Sequence, residues 1–384
     1  MKKLRFLALI LCAGLALSGC TSMLERSYSS HTAHVDYSVT EDSSILRAES
    51  YQALLNSILY YVNEHTAGGT IRLYNYSGDV EADLQQACRQ VTEEDPLGAY
   101  AVKTIDYEST RILTYYEVNF RITYRRTADQ LVGIRTVSGQ AGIRQELERM
   151  TASQLSQAIL RTAYFTGDAD TVTALFWLAF YDNPAAVMEI PQLSVAFYPQ
   201  EGTQRILEVD AAWPVSAAQM SEYALELADA AALLTGTNPP AEECYTVEEL
   251  AALLRSTVLY DPSGSHTALA ALRGEPVNDL GMLLALEYLC QQADIEASAA
   301  ADTAGAQMWL IVSTPSGYRH LLPKDLRPAE PEVDPDPDTD PEEPVEDIPW
   351  QLPLYTDEEL SALGFVWPEG LHPPCVDYSG TLPD

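Results

Sequence analysis

The sequence predicts an α+β protein, and three observations carry that expectation. Segments with apolar residues at helical spacing are interleaved with segments whose apolar residues alternate at period two. The alternating segments are rich in Tyr, Val and Ile. Gly, Pro and Asp clusters mark the boundaries between the two kinds. With 384 residues and 47% apolar content, the chain can build two cores and still carry tails. A formal charge of −34 argues against nucleic acid as a partner and against strong adhesion to anionic lipid headgroups.

The chain begins with a charged stretch, Met1-Lys2-Lys3-Leu4-Arg5, then an apolar run from Phe6 to Leu17, then Leu17-Ser18-Gly19-Cys20. This arrangement resembles the signal segment and lipobox of bacterial lipoproteins. The resemblance implies removal of residues 1–19 and a diacylglyceryl thioether on Cys20. The mature chain is then held by that lipid on the outer face of the cytoplasmic membrane; the alternative is an ordinary secretory segment. No other stretch approaches the apolar length that spans a bilayer. Residues 20–44 read as a polar tether; His31 and His34 lie in it, and two histidines do not make a metal site. The remaining cysteines form no Cys-x-x-Cys pair, and neither a metal nor a cofactor is expected.

Residues 45–215 read as one mixed domain. Leu46 to Val62 has helical spacing, Gly68-Gly69 breaks it, and Thr70 to Tyr76 alternates like a strand. Asp79 to Val91 reads as a helix and Asp95-Pro96-Leu97-Gly98 as a turn. Tyr100–Tyr107 and Ile112–Tyr124 read as two strands. Helices are expected over 142–164 and 168–181, and a strand pair over 195–198 and 204–210. The density of Tyr fits half-buried strands; a carbohydrate or peptide platform is the alternative. Arg125-Arg126 is either a solvated strand end or a grip for a carboxylate or phosphate. Gly69-Thr70-Ile71-Arg72-Leu73-Tyr74, Asp95-Pro96-Leu97-Gly98 and Tyr124-Arg125-Arg126 resemble the front half of transglutaminase-like lipoproteins of anaerobic Gram-positive bacteria.

Residues 216–327 carry the more informative pattern. A helix is expected over 217–234, with a break at Gly236–Pro240. Thr246 with Glu249 forms a capping-box pattern, opening a helix that closes on Tyr260-Asp261. Then come Val277-Asn278-Asp279-Leu280-Gly281, an apolar helix to Ala293, a loop over 298–306, the strand Gln307-Met308-Trp309-Leu310-Ile311-Val312, and Gly317-Tyr318 with Pro323. This layout resembles the core of transglutaminase-like domains of the papain-like superfamily. The resemblance implies a small cysteine-protease-like core following the mixed domain. It places Asn278, Gln307 and Leu322 where that family carries its catalytic Cys, His and Asp.

Acyl transfer in such a site needs a thiolate at a helix N-terminus, an imidazole to take and return the proton, and a third group to orient the imidazole. Asn278, Gln307 and Leu322 supply none of these, so the degenerate positions argue for binding rather than catalysis. Cys290 lies about three turns into the helix and reads as a small buried thiol. Trp309, Tyr318 and His320 are the expected groove residues, and Asn and Gln there can pair with amides. A peptide, a peptidoglycan stem or an envelope protein is the expected partner. The alternatives are a peptidase, amidase or acyltransferase that uses His320 or His266 with a carboxylate, and a purely structural envelope protein. Residues 328–349 alternate Pro with Asp and Glu and read as an extended linker. Residues 350–384 hold a short capped helix at Thr356–Glu359; they either dock on a core or stay detached.

Overall fold

A computed structural model of the chain describes residues 45–236, 245–302, 307–328, 350–368 and 370–377. The expectations for the signal segment, Cys20, His31, His34 and nearly all of the acidic linker lie outside these residues. The fold is α+β.

The first stretch is β1 (Ile45–Ala48), α1 (Tyr51–Asn63), β2 (Gly68–Tyr74), α2 (Val80–Glu93), α3 (Pro96–Ala101), β3 (Val102–Ile112) and β4 (Tyr115–Tyr124). Following α4 (Ala128–Val132) come β5 (Arg135–Ser138), α5 (Gly139–Ala152), β6 (Gln157–Ala163), α6 (Ala169–Tyr181), a 3-10 turn at Pro184–Ala186, β7 (Gln192–Tyr198) and β8 (Arg205–Ala212). The third stretch is α7 (Ala217–Thr235), α8 (Val247–Thr257), β9 (Leu259–Ser265), α9 (Ala268–Leu272), β10 (Pro276–Val277), α10 (Asp279–Gln292), β11 (Ala297–Ala301), β12 (Met308–Thr314) and β13 (Gly317–Leu321). A second 3-10 turn spans Pro323–Leu326, and α11 (Asp357–Ala362) belongs to the C-terminal segment.

The first two stretches are copies of one motif. Their sheets have the orders β1-β2-β4-β3 and β5-β6-β8-β7. In each, the first two strands run parallel across a helix and the next pairing is antiparallel. The registers coincide at a constant offset of 89 residues: Leu46↔Ile71↔Val118 in one copy, Arg135↔Leu160↔Leu207 in the other. The same offset relates the left-handed residues His65 (φ 50°) to Gln154 (φ 47°), and Asn75 (φ 48°) to Tyr164 (φ 65°). Asp79 and Asp168, each after a Gly, accept backbone N–H groups at the starts of α2 and α6.

Several sequence expectations are corrected here. Residues Ile45–Ala48 are a strand, not the start of a helix: Leu46 and Ala48 turn inward beside Ile71 and Leu73. Helix α1 starts only at Tyr51, with the Ser50 side chain accepting from Ala53 N. The helix expected over 142–164 ends at Ala152, because Gln154 adopts a left-handed backbone and 157–163 pairs between two strands. The turn at Asp95 is the N-cap of α3, which contains Tyr100, so β3 begins at Val102. Tyr260-Asp261 lies within strand β9 rather than ending α8. The loop expected over 298–306 is in part strand β11, whose residues Ala297–Ala301 pair with β12.

By compactness the described residues divide into 45–88 with 106–121, and 89–105 with the remainder. The first unit buries Leu54, Ile58, Ile71, Leu73, Leu84 and Val118 between its helices and sheet. In the second, one cluster of buried side chains runs from Ile143 and Leu147 on α5 through Leu250 on α8 to Leu326 and Leu352. This cluster includes residues on both sides of the expected boundary at 215/216. Helix α10 lies at the centre of this core and is apolar nearly all round; Leu283, Leu284, Leu286 and Leu289 are buried. Each such leucine stabilises the fold by about 1.5–3 kcal/mol.

The C-terminal segment docks. Tyr355 pairs with His320 through two backbone hydrogen bonds, at 2.8 and 2.9 Å. Leu360 of α11 and Cys375 are fully buried in a cluster with Trp309, Ile311, Leu322 and Phe365. Arg144 on α5 donates to Leu371 O at 3.2 Å, Arg319 donates to Val376 O at 3.1 Å, and the Arg255 guanidinium lies 4.7 Å over the Trp350 ring. The short segment thus borrows the core it cannot build alone.

Candidate functional site

Asn278 caps α10. Its side-chain oxygen accepts from Gly281 N at 3.1 Å, and its own N–H donates to Ser265 O at 3.0 Å. A side chain on Gly281 would meet Ser265 O at 2.8 Å, so the glycine lets the helix start close against β9. Gln307 precedes β12 and is exposed; Leu322 follows β13 and is 2% exposed.

A cleft of about 540 Å³ opens at this helix end. Gln307 and Leu322 both line it, together with Asp279, Lys324, Arg327 and an apolar wall that includes Leu283, Met308 and Phe365. Asn278 itself is not on the lining; its neighbour Asp279 is. Arg327 grips Asp279 with two hydrogen bonds, at 3.0 and 2.7 Å, and lies 4.4 Å over the Tyr260 ring. That hydrogen bond to Asp279 holds the guanidinium more firmly protonated than usual. Among the described lining residues there is no thiol, hydroxyl or imidazole.

The three expected groove residues are placed elsewhere. Strand alternation puts Met308 at the cleft and turns Trp309 to the opposite face, where it is fully buried under the C-terminal segment. The Tyr318 hydroxyl donates to Glu296. The indole N–H of Trp309 donates to His320 Nδ1 at 2.9 Å, and His320 Nε2 lies 2.8 Å from Asp357 Oδ1. An indole N–H can only donate, so Nδ1 is the acceptor and Nε2 carries the proton that Asp357 receives. Burial holds the His320 pKa below the ordinary range, against the pull of Asp357. His320 is therefore a neutral imidazole with both nitrogens occupied.

Asp357 Oδ2 accepts from Cys375 N at 3.0 Å, which completes a cluster of imidazole, carboxylate and thiol whose donor atoms all lie within 4.8 Å. The set has the composition of a catalytic triad or of three metal ligands, and its chemistry fits neither. Proton abstraction from the thiol requires an imidazole nitrogen with a free lone pair, and a metal on Nε2 would displace the proton fixed by Trp309. Burial pushes the Cys375 thiol up to about 12, leaving it protonated. The cluster instead fastens the C-terminal segment to β12 and β13. His266 joins no comparable group among the described residues, and its Nε2 is buried without a hydrogen-bond partner. Cys290 is fully buried, and burial pushes its thiol up to about 12.

Sequence reasoning missed a second cavity, of about 640 Å³. Trp177 and Tyr181 line it from successive turns of α6, with ring centroids 6.1 Å apart and planes 26° from parallel. Asp168, Met308 and Leu371 contribute as well, so Met308 touches both cavities. The available signal was the pair of large aromatics four apart on a helix otherwise filled with core residues. Comparison of the chain with protein-family models finds no match, and comparison with curated proteins finds none either.

Proposed function

We propose that this chain is an exported, lipid-anchored protein whose later part is a transglutaminase-like domain that binds rather than cleaves. It acts at the cell envelope, anchored through Cys20, and holds a peptide, such as a peptidoglycan stem, in the cleft at the start of α10. One observation carries this reading. Gln307 and Leu322, two of the positions that the family resemblance assigns to catalysis, share a cleft whose described lining holds no thiol, hydroxyl or imidazole, and whose one carboxylate, Asp279, is engaged by Arg327. The cleft offers what binding needs: an amide at Gln307, charges at Lys324 and Arg327, and apolar walls.

The test uses the mature chain with isolated peptidoglycan stem peptides, followed by calorimetry for binding and mass spectrometry for products. The expected result is saturable binding with no product, and about tenfold weaker binding in Gln307→Ala, the loss of about one hydrogen bond. Product formation abolished by Cys375→Ala would instead establish an enzyme. Absence of binding would remove the cleft as a peptide site. Export is tested separately: the N-terminal peptide of membrane-extracted protein should begin at Cys20 and carry diacylglycerol.

A further inference from the structure

We infer that the cleft takes the carboxyl-terminal end of a peptide, with the free α-carboxylate on Lys324 and an apolar last side chain against Leu283, Met308 and Phe365. This rests on the binding reading above and goes further by naming the chemistry that is recognised.

Charge is the first argument. Three charged side chains line the cleft. Asp279 is consumed by Arg327, which engages both of its oxygens. Lys324 makes no ion pair among the described residues, so the lining carries one net positive charge in a chain of formal charge −34. The contrast is sharper because only two lysines, Lys103 and Lys324, occur after Lys3. A cleft lining with one net positive charge matches a monoanion; a phosphate dianion would leave one charge unmet.

Position is the second. Lys324 is held by the 3-10 turn Pro323–Leu326, directly after Leu322, and its ammonium lies 5.9 Å over the Tyr355 ring. That ring is fixed by the pairing of Tyr355 with His320. The neighbouring Asp325 attracts the ammonium, but it is not on the cleft lining; burial, the larger influence, raises its pKa, and Tyr355 bonds to it. The ammonium is thus oriented over the Tyr355 ring while making no salt bridge among the described residues.

Shape is the third. Met308 and Leu283 form one apolar wall, and Phe365 supplies another from the C-terminal segment. Phe365 is braced edge-on against Trp309, with centroids 5.4 Å apart. Gln307 is exposed at the rim, where its amide can both donate to and accept from the last peptide group of the ligand.

The experiment compares N-acetyl-alanyl-alanyl-leucine with its C-terminal carboxamide on the full mature chain by calorimetry. The acid is expected to bind at least tenfold more tightly than the amide. Lys324→Met, an exposed change that keeps the aliphatic stem, should bring the acid down to the amide's affinity without shifting Tm. Phe365→Ala should weaken both ligands. Equal binding of acid and amide by the wild type would overturn the carboxylate assignment while leaving the peptide-binding reading intact. If neither ligand binds at millimolar concentration, both readings fall.

Discussion

Replacing Asp357 with Ala removes the acceptor for two buried donors at once. His320 Nε2–H, at 2.8 Å, and Cys375 N–H, at 3.0 Å, both lose their partner. Hydrogen bonds to a charged acceptor contribute about 1.5–3 kcal/mol each, and the Asp357 side chain is 34% exposed, so water recovers part of the loss. We take about 3 kcal/mol, which makes opening of the C-terminal segment about a hundredfold more frequent. Cys375 reports that opening because it is fully buried in the closed state. Maleimide labelling mapped by peptide mass gives its rate, and Cys88 and Cys290, buried under other elements, serve as internal controls. The expected outcome is labelling of Cys375 accelerated about a hundredfold in Asp357→Ala, with the rates at Cys88 and Cys290 within a few fold of wild type. Asp357→Asn, which presents an amide N–H to one of the two donors, should fall in between. A Cys375 rate unchanged within threefold would refute the account of Asp357 as the fastener.

Three further outcomes follow from the buried polar groups. His372 is held at about 4, chiefly by burial and then by Arg144 and His320, below an unfolded value of 6.5. A depressed base contributes stability above pH 6.5 that is lost as the pH falls toward 4, at up to about 1.4 kcal/mol per unit, so urea unfolding of His372→Gln should depend less steeply on pH across that window than wild type. Glu287 is fully buried with both oxygens unpartnered, and burial, then Asp182, raises its pKa well above normal. Its sign is opposite: its stabilising share is full at low pH and lost as pH rises. Glu287→Gln should therefore gain stability over wild type as the pH rises above the ordinary carboxylate range, and a loss relative to wild type at alkaline pH would contradict the assignment. Leu322→Asp, which restores the residue type implied by the family resemblance, buries a carboxylate at a position 2% exposed and should cost about 3 kcal/mol or more in urea unfolding; a cost under about 1 kcal/mol would mean that the position is wetter than the fold indicates.

What was legible in the sequence is local. Thr246 with Glu249, and Thr356 with Glu359, announce capping boxes that form as read. Asn278 reads as the start of a helix and caps one. The failures occur where tertiary pairing decides. Strand β11 is Ala-Ser-Ala-Ala-Ala, with little strand propensity of its own, and exists because β12 lies beside it. The stop after α5 is Gln154 in a left-handed conformation, with no glycine to announce it. At the site, Gln307 and Leu322 line one cleft, whereas Trp309, an expected groove residue, is one residue from Met308, and period two sends the two apart. His320's partner Asp357 lies 37 residues downstream, beyond a linker, and no local pattern could join them.

The 89-residue offset adds a constraint on where function lies. Left-handed turns at His65/Gln154 and Asn75/Tyr164 are costly for residues with a Cβ, and two sequences would not choose the same pair of positions for independent reasons. Registers, caps and turns therefore point to a duplicated scaffold. The cavity side chains are not part of what the copies share. At the offset, Trp177 and Tyr181 correspond to Cys88 and Thr92. Cys88 is a buried thiol pushed up to about 12 by burial, whereas Trp177 is half-buried and lines a cavity walled by Leu371 of the C-terminal segment. A scaffold that needed only to fold could carry small residues at these positions in both copies, as the first copy does with Cys88 and Thr92. Large aromatics in the second copy alone tie its α6 to the segment that also supplies Phe365 to the α10 cleft. Detaching that segment should therefore dismantle both cavities together, while the two repeated sheets, whose strands pair without it, keep their register.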